Sequence, residues 1–147
     1  MTRERIREIF NSLIGTWQLE RTATPEGTFK GKSIFTPVGE NRLSYREEGE
    51  SWVAGQHARF YREYVYELHD DKIVIYYNDP HRPKDILHEL AFREDDGSLR
   101  AEHCHVCAQD CYDIEFRVGQ DRLDVNYRVK GPKKDYTLHS VLTREPQ

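Results

Sequence analysis

The sequence predicts an all-β protein, an antiparallel up-and-down barrel of about nine or ten strands behind one short N-terminal helix. Three observations carry that prediction. Helical periodicity is confined to the first segment, apolar residues alternate with polar ones almost everywhere after it, and turn signals break the alternation at regular intervals.

The helical segment is "MTRERIREIF" with the residues just after it. Ile6, Ile9, Phe10 and Leu13 recur on one face, Arg3, Glu4, Arg7 and Glu8 fall elsewhere, Thr2 stands at the N-cap position and Gly15 ends the pattern. The strands follow as "TWQLERTA", "TFKGKSIF", "RLSYREEG", "ARFYREYVYEL", "KIVIYY", "ILHELAFRE", "LRAEHCHV", "CYDIEFRV", "RLDVNYRV" and "DYTLHSVLTR". Between them lie "TPEG", "TPVGEN", "HDD", "DPHRPKD", "DDGS", "GQD" and "KGPK", rich in the residues that turns require. A meander of this length protects its edges best by closing on itself, and the amphipathic helix is then placed to cover one end.

Composition narrows the function classes. The 147 residues suit a single domain over 1–147 with a sizeable core, 37% hydrophobic and 12% aromatic. A net charge of −4 gives no basic surface for nucleic acid, and the densest basic stretch, "KGPKKDY", reads as a solvated turn. No apolar run is long enough to span a bilayer, and the charged N-terminus lacks the pattern of a secretory signal. Three cysteines, an odd number, do not suggest a disulfide framework, so a reducing cytoplasm is the simplest setting. Side-by-side pairing of barrels into a homodimer is compatible with this surface.

"LIGTWQLER" puts Gly15 and Trp17 at the start of the first strand, and Arg144 lies near the end of the last. This arrangement resembles the calycin superfamily of lipocalin-like barrels, in which an arginine from the last strand stacks over that tryptophan and closes the barrel. Further stretches are similar to a small lipocalin-like family of unknown function: "YREEG" (Tyr45, Glu47, Gly49), "REYVY" (Arg62, Tyr64, Tyr66), "HEL" (His88, Leu90), "HVCAQDCY" (His105, Cys107, Asp110, Tyr112) and "VKGPKKDY" (Gly131, Pro132, Lys134, Asp135, Tyr136). The resemblance spans nearly the whole chain and implies the barrel, with Trp17 and Arg144 as its closure. It implies no activity. "DPHRPKD" is longer than the family's usual turn before its His-x-Leu.

Alternation assigns faces, because residues two apart in a strand point the same way. With the more apolar face inward, Leu43 and Tyr45 carry Glu47 inside. Phe60, Tyr64, Tyr66 and Leu68 carry Arg62. Ile86, Leu90 and Phe92 carry His88, and Leu99 and Ala101 carry His103, His105 and Cys107. Tyr112, Tyr127 and Tyr136 fall on the inward faces of the last three strands. Buried charge is costly unless paired, so Glu47 and Arg62 neutralise each other or meet a ligand. The candidate ligand-binding set is therefore Glu47, Arg62, Tyr64, His88, His105, Tyr112 and Tyr136.

"EHCHVCAQDCYD" gathers all three cysteines with His103 and His105. Alternation sends Cys104 away from Cys107, and three successive inward positions span about 13 Å, too far for all of His103, His105 and Cys107 to reach one ion. A redox pair would need a site that lowers a thiol pKa, which a strand end does not supply. The stretch reads as strand and turn, with no metal and no cofactor. The leading expectation is a barrel binding a small organic ligand in a partly polar interior. In that reading Arg62 faces an acidic group while Glu47, Tyr64, His88 and Tyr136 orient it. The alternatives are a small acid/base enzyme (lyase, cyclase or isomerase) using interior His, Glu, Arg and Tyr, with His88 or His105 as acid or base, and a filled-core scaffold or interaction domain.

Overall fold

The computed structural model describes residues 2–81, 85–101, 105–107 and 109–146, with the side chains of His105 and Cys107 outside the description. Helix α1 (Thr2–Ser12) is followed by β1 (Gly15–Thr24), β2 (Thr28–Gly39), β3 (Arg42–Val53), β4 (Gln56–His69) and β5 (Lys72–Tyr77). Then come β6 (Ile86–Phe92), β7 (Ser98–Ala101), β8 (His105–Cys107), β9 (Asp110–Val118), β10 (Arg122–Lys130) and β11 (Asp135–Arg144).

All pairings are antiparallel, and the strand order β10-β11-β1-β2-β3-β4-β5-β6-β7-β9 closes through the β9–β10 pair. Ten strands thus form the ring, and among the described residues β8 pairs with β9. The sequence reads β7 and β8 as one strand. Both pair with β9, but Leu99 faces Phe116 while His105 faces Tyr112, so the two pieces run in registers two residues apart.

The end of the barrel carrying Gly15, Arg42, Lys72 and Arg144 is closed. Ile6, Ile9 and Phe10 of α1 and Leu13 just after it join Trp17, Leu43, Leu68, Ile73, Leu90, Leu99, Leu123 and Leu142 in one apolar core. The closure pair is present there. Trp17 and Arg144 are register partners on β1 and β11, and the Arg144 guanidinium carbon lies 4.1 Å from the indole centroid. Arg144 donates from Nη2 to the Ser12 carbonyl (2.6 Å) and from Nη1 to the Ile14 carbonyl (3.2 Å), while the Trp17 indole N–H donates to the Leu13 carbonyl (2.9 Å). Arginine suits the position because its planar cation can stack on the ring and still satisfy the carbonyls where helix gives way to strand.

Two inward assignments change. Between β5 and β6 the register slips, with Ile75 facing His88 but Tyr76 facing Ile86, so Leu87 is an extra residue in a β-bulge. The bulge turns Ile86 outward, where it is exposed, and lets both Leu87 and His88 face the interior. Cys111 is disulfide-bonded, which departs from the expectation of unpaired thiols.

Candidate functional site: a polar cavity in the open half of the barrel

Away from α1 the interior is not filled. A cavity of about 270 Å³ lies among β1–β6 and β9–β11, room for about nine waters at roughly 30 Å³ each. Its wall is apolar on the side of Phe35, Ile75, Ile114, Phe116, Leu123 and Leu142. Toward the open end it becomes aromatic and polar, with Tyr64, Tyr77, Tyr112, Tyr127 and Tyr136 beside Arg21, Glu47, Arg62 and His88.

The alternation of β3 carries Glu47 inside on the same face as Leu43 and Tyr45, and it is 2% exposed. Its partner comes from β1. Trp17, Leu19 and Arg21 share the inner face of β1, and Arg21 meets Glu47 through two hydrogen bonds, Nη1 to Oε1 at 3.0 Å and Nη2 to Oε2 at 2.8 Å. Arg21 Nε donates to Ser140 Oγ (2.7 Å), and Tyr45 donates to Glu47 Oε2 (2.6 Å) while its oxygen lies 3.0 Å from Ser33 Oγ. Burial alone would raise the Glu47 pKa. The Arg21 charge, the hydrogen bonds from Arg21 and Tyr45, and the Arg62 charge together overcome it, so Glu47 is held below the usual carboxylate range and is ionised. Burial raises the hydroxyl pKa of Tyr45, Tyr64, Tyr66 and Tyr127, which keeps all four neutral donors.

Arg62 is the register partner of Glu47, yet its closest approach is Nε to Oε1 at 3.8 Å, and its side chain is 47% exposed. The expected Glu47–Arg62 neutralisation is therefore the weaker of two contacts, and Arg21 takes the main role. A signal for Arg21 existed in the sequence, since it stands two and four residues beyond Leu19 and Trp17 in an alternating strand.

On the opposite wall His88, 3% exposed, shares a short hydrogen bond between its Nε2 and the Tyr127 hydroxyl. At the rim Lys134 reaches Asp110 (3.1 Å) and donates to the Tyr112 hydroxyl (3.2 Å), tying the β10–β11 turn to the start of β9. Gly131 makes that contact fit, because a Cβ there would stand 1.9 Å from Asp110 Oδ1.

Of the candidate set, Glu47, Arg62, Tyr64, His88, Tyr112 and Tyr136 all line this one cavity. His105 enters the account through its backbone only, as the partner of Tyr112 in β8. The metal question raised by His103, His105 and Cys107 falls outside the described residues and side chains. No described helix is long and apolar enough to cross a membrane.

The S-type phycobiliprotein lyase CPES from Guillardia theta is similar in fold, at TM-score 0.67 and 14% identity over 97% of this chain and 93% of that one. So are two proteins bound to DFHBI. EF1p2_mFAP2b matches at TM-score 0.53 and 12% identity over 99% of both chains, and the redesigned barrel mFAP1 at 0.51 and 14% over 92% of this chain and 98% of that one. At these identities the likeness is one of fold. No curated protein sequence matches the chain. Residues 13–144 match the model of a family of unknown function, DUF6314, so the closed barrel built around Trp17 and Arg144 belongs to that family.

Proposed function

We propose that this barrel binds a small organic molecule in its interior. The observation that carries the reading is the cavity of about 270 Å³ whose wall passes from apolar side chains to tyrosine hydroxyls, His88 and a half-exposed arginine. That volume is close to the lower bound of roughly 300 Å³ for ligand pockets, so it suits a compact one- or two-ring body. A barrel serving only as a scaffold gains nothing from leaving this space open, since unfilled volume forfeits contacts. Two of the similar barrels are bound to DFHBI, so the fold holds small molecules elsewhere.

In this reading Arg62, Tyr64, His88, Tyr112 and Tyr136 face the ligand, and Glu47 fixes Arg21 in the cavity wall. The test is a native mass spectrum of untagged protein set against the same sample denatured. The expected result is an added mass of a few hundred daltons that is lost on denaturation, and the released compound can then be identified. Absence of any added mass, together with no saturable binding of a panel of aromatic compounds, contradicts it.

One observation favours a second reading. The hydrogen-bonded pair of His88 and Tyr127 faces the cavity, an arrangement that can pass a proton to a bound substrate. Chemical change of the copurified compound on incubation, lost in His88→Gln, would assign an acid/base enzyme rather than a carrier.

A further inference from the structure

The charges lining the cavity are unequal. Among the described residues they are Arg21, Glu47 and Arg62, two cations against one carboxylate. Glu47 is satisfied without Arg62, because both of its oxygens accept from Arg21 and one also accepts from Tyr45. Arg21 is equally committed, donating through Nε, Nη1 and Nη2. The rim lysine Lys134 is also engaged, by Asp110. Arg62 makes no hydrogen bond to any described residue and stands 3.8 Å from Glu47, half exposed on the stretch of β4 just before its pairing with β5 begins at Tyr64.

Resting on the proposed binding role of the cavity, we infer that its ligand is a compact aromatic monoanion whose acid group, a carboxylate or a sulfonate, docks on Arg62 near the open end. The ring system then lies deeper, beside Tyr64, Tyr77, Leu87 and Val125. A guanidinium with its fork free recognises a planar acid through two parallel hydrogen bonds. The surplus of one positive charge matches one negative group. A cationic ligand would meet two arginines and one fully engaged carboxylate, and it is rejected.

The probes are 2-naphthoate and its neutral methyl ester, which share a ring system and differ in charge. Binding is followed by quenching of the protein's intrinsic fluorescence, in wild type and in Arg62→Met, Arg62→Lys and, as a control for general positive charge, Lys30→Met on the outer face of β2. Wild type is expected to bind the acid more tightly than the ester by about tenfold or more, the scale of a hydrogen-bonded charge pair. Arg62→Met abolishes that preference while its affinity for the ester and its melting temperature stay unchanged. Arg62→Lys keeps part of the preference, and Lys30→Met keeps all of it. Equal binding of acid and ester by wild type overturns the monoanion assignment and leaves the binding role standing. An acid preference that survives in Arg62→Met overturns Arg62 as its reader. Binding of neither probe overturns the assignment, and the native mass spectrum then decides the binding role separately.

Discussion

Arg21 on β1 and Glu47 on β3 are joined across the barrel interior by two parallel hydrogen bonds of 3.0 and 2.8 Å, although strand β2 lies between them in the sheet. The pair forms a polar part of the cavity wall. It orders Tyr45 and Ser140 around it and leaves Arg62 loosely held above.

Removing one member strands the other. Glu47→Gln leaves a buried guanidinium without its counter-charge and is expected to cost about 3–5 kcal/mol of stability, as is Arg21→Met. The double variant Arg21→Met/Glu47→Leu removes both charges and loses chiefly the hydrogen bonds to Ser140 and Tyr45, at about 1 kcal/mol each. Urea unfolding should therefore find the double variant more stable than either single one. A double variant less stable than both contradicts the pairing.

The pair also sets a pH dependence. The folded pKa of Glu47 lies below its unfolded value of about 4.3, so its stabilisation is fully present above that pH. It is lost as the pH falls through the lower folded value, because the unfolded chain takes up the proton first. Between pH 5 and pH 2, in round figures, wild type should lose more stability than Arg21→Met/Glu47→Leu, measured by denaturant midpoints. Identical acid limbs would remove Glu47 from the account.

The closed end rests on a different arginine. Arg144→Ala deletes a cation stacked on Trp17 and two hydrogen bonds to backbone carbonyls, and is expected to cost about 1–3 kcal/mol. Arg144→Lys should recover only a part, since an ammonium cannot stack and donate in two directions at once. Thermal melts of the two variants check this order.

Where β2 and β3 pass at their closest, Gly31 faces Gly49, and a Cβ on Gly49 would stand 2.1 Å from the Lys30 carbonyl oxygen. Backbone cannot yield as a side chain does. Gly49→Ala is expected to destabilise by more than about 3 kcal/mol, beyond the range of an ordinary point substitution. Gly97→Ala is a useful contrast, because its Cβ would meet nothing within 4 Å and only its positive φ of 72° is strained. It should cost about 1–2 kcal/mol.

Much of this was legible in the alternation. Each wall residue of β3, β4, β9, β10 and β11 follows from a strict period of two, and Trp17 with Arg144 follows from their places at the two ends of the chain. The period fails where the backbone adds a residue. The bulge at Leu87 inverts Ile86, and no local signal in "ILHEL" announces it. Partner choice is likewise tertiary. Alternation places Arg21, Glu47 and Arg62 inside, but only the closed sheet decides that Glu47 pairs with the arginine two strands away rather than with its own neighbour. A volume, too, comes from all the walls at once, so the sequence alone leaves a filled core standing as an alternative to an open cavity.

The central claim is that the barrel's interior is a binding site, and the most direct measurement fills it. Val125→Phe/Leu138→Trp adds bulk to the cavity from the neighbouring strands β10 and β11 without replacing Arg21, Glu47 or Arg62. Titrated with the neutral apolar dye N-phenyl-1-naphthylamine, wild type should show saturable fluorescence enhancement, and the filled variant, equally folded by circular dichroism, should show none. Equal enhancement in both would place binding outside the barrel and contradict the account.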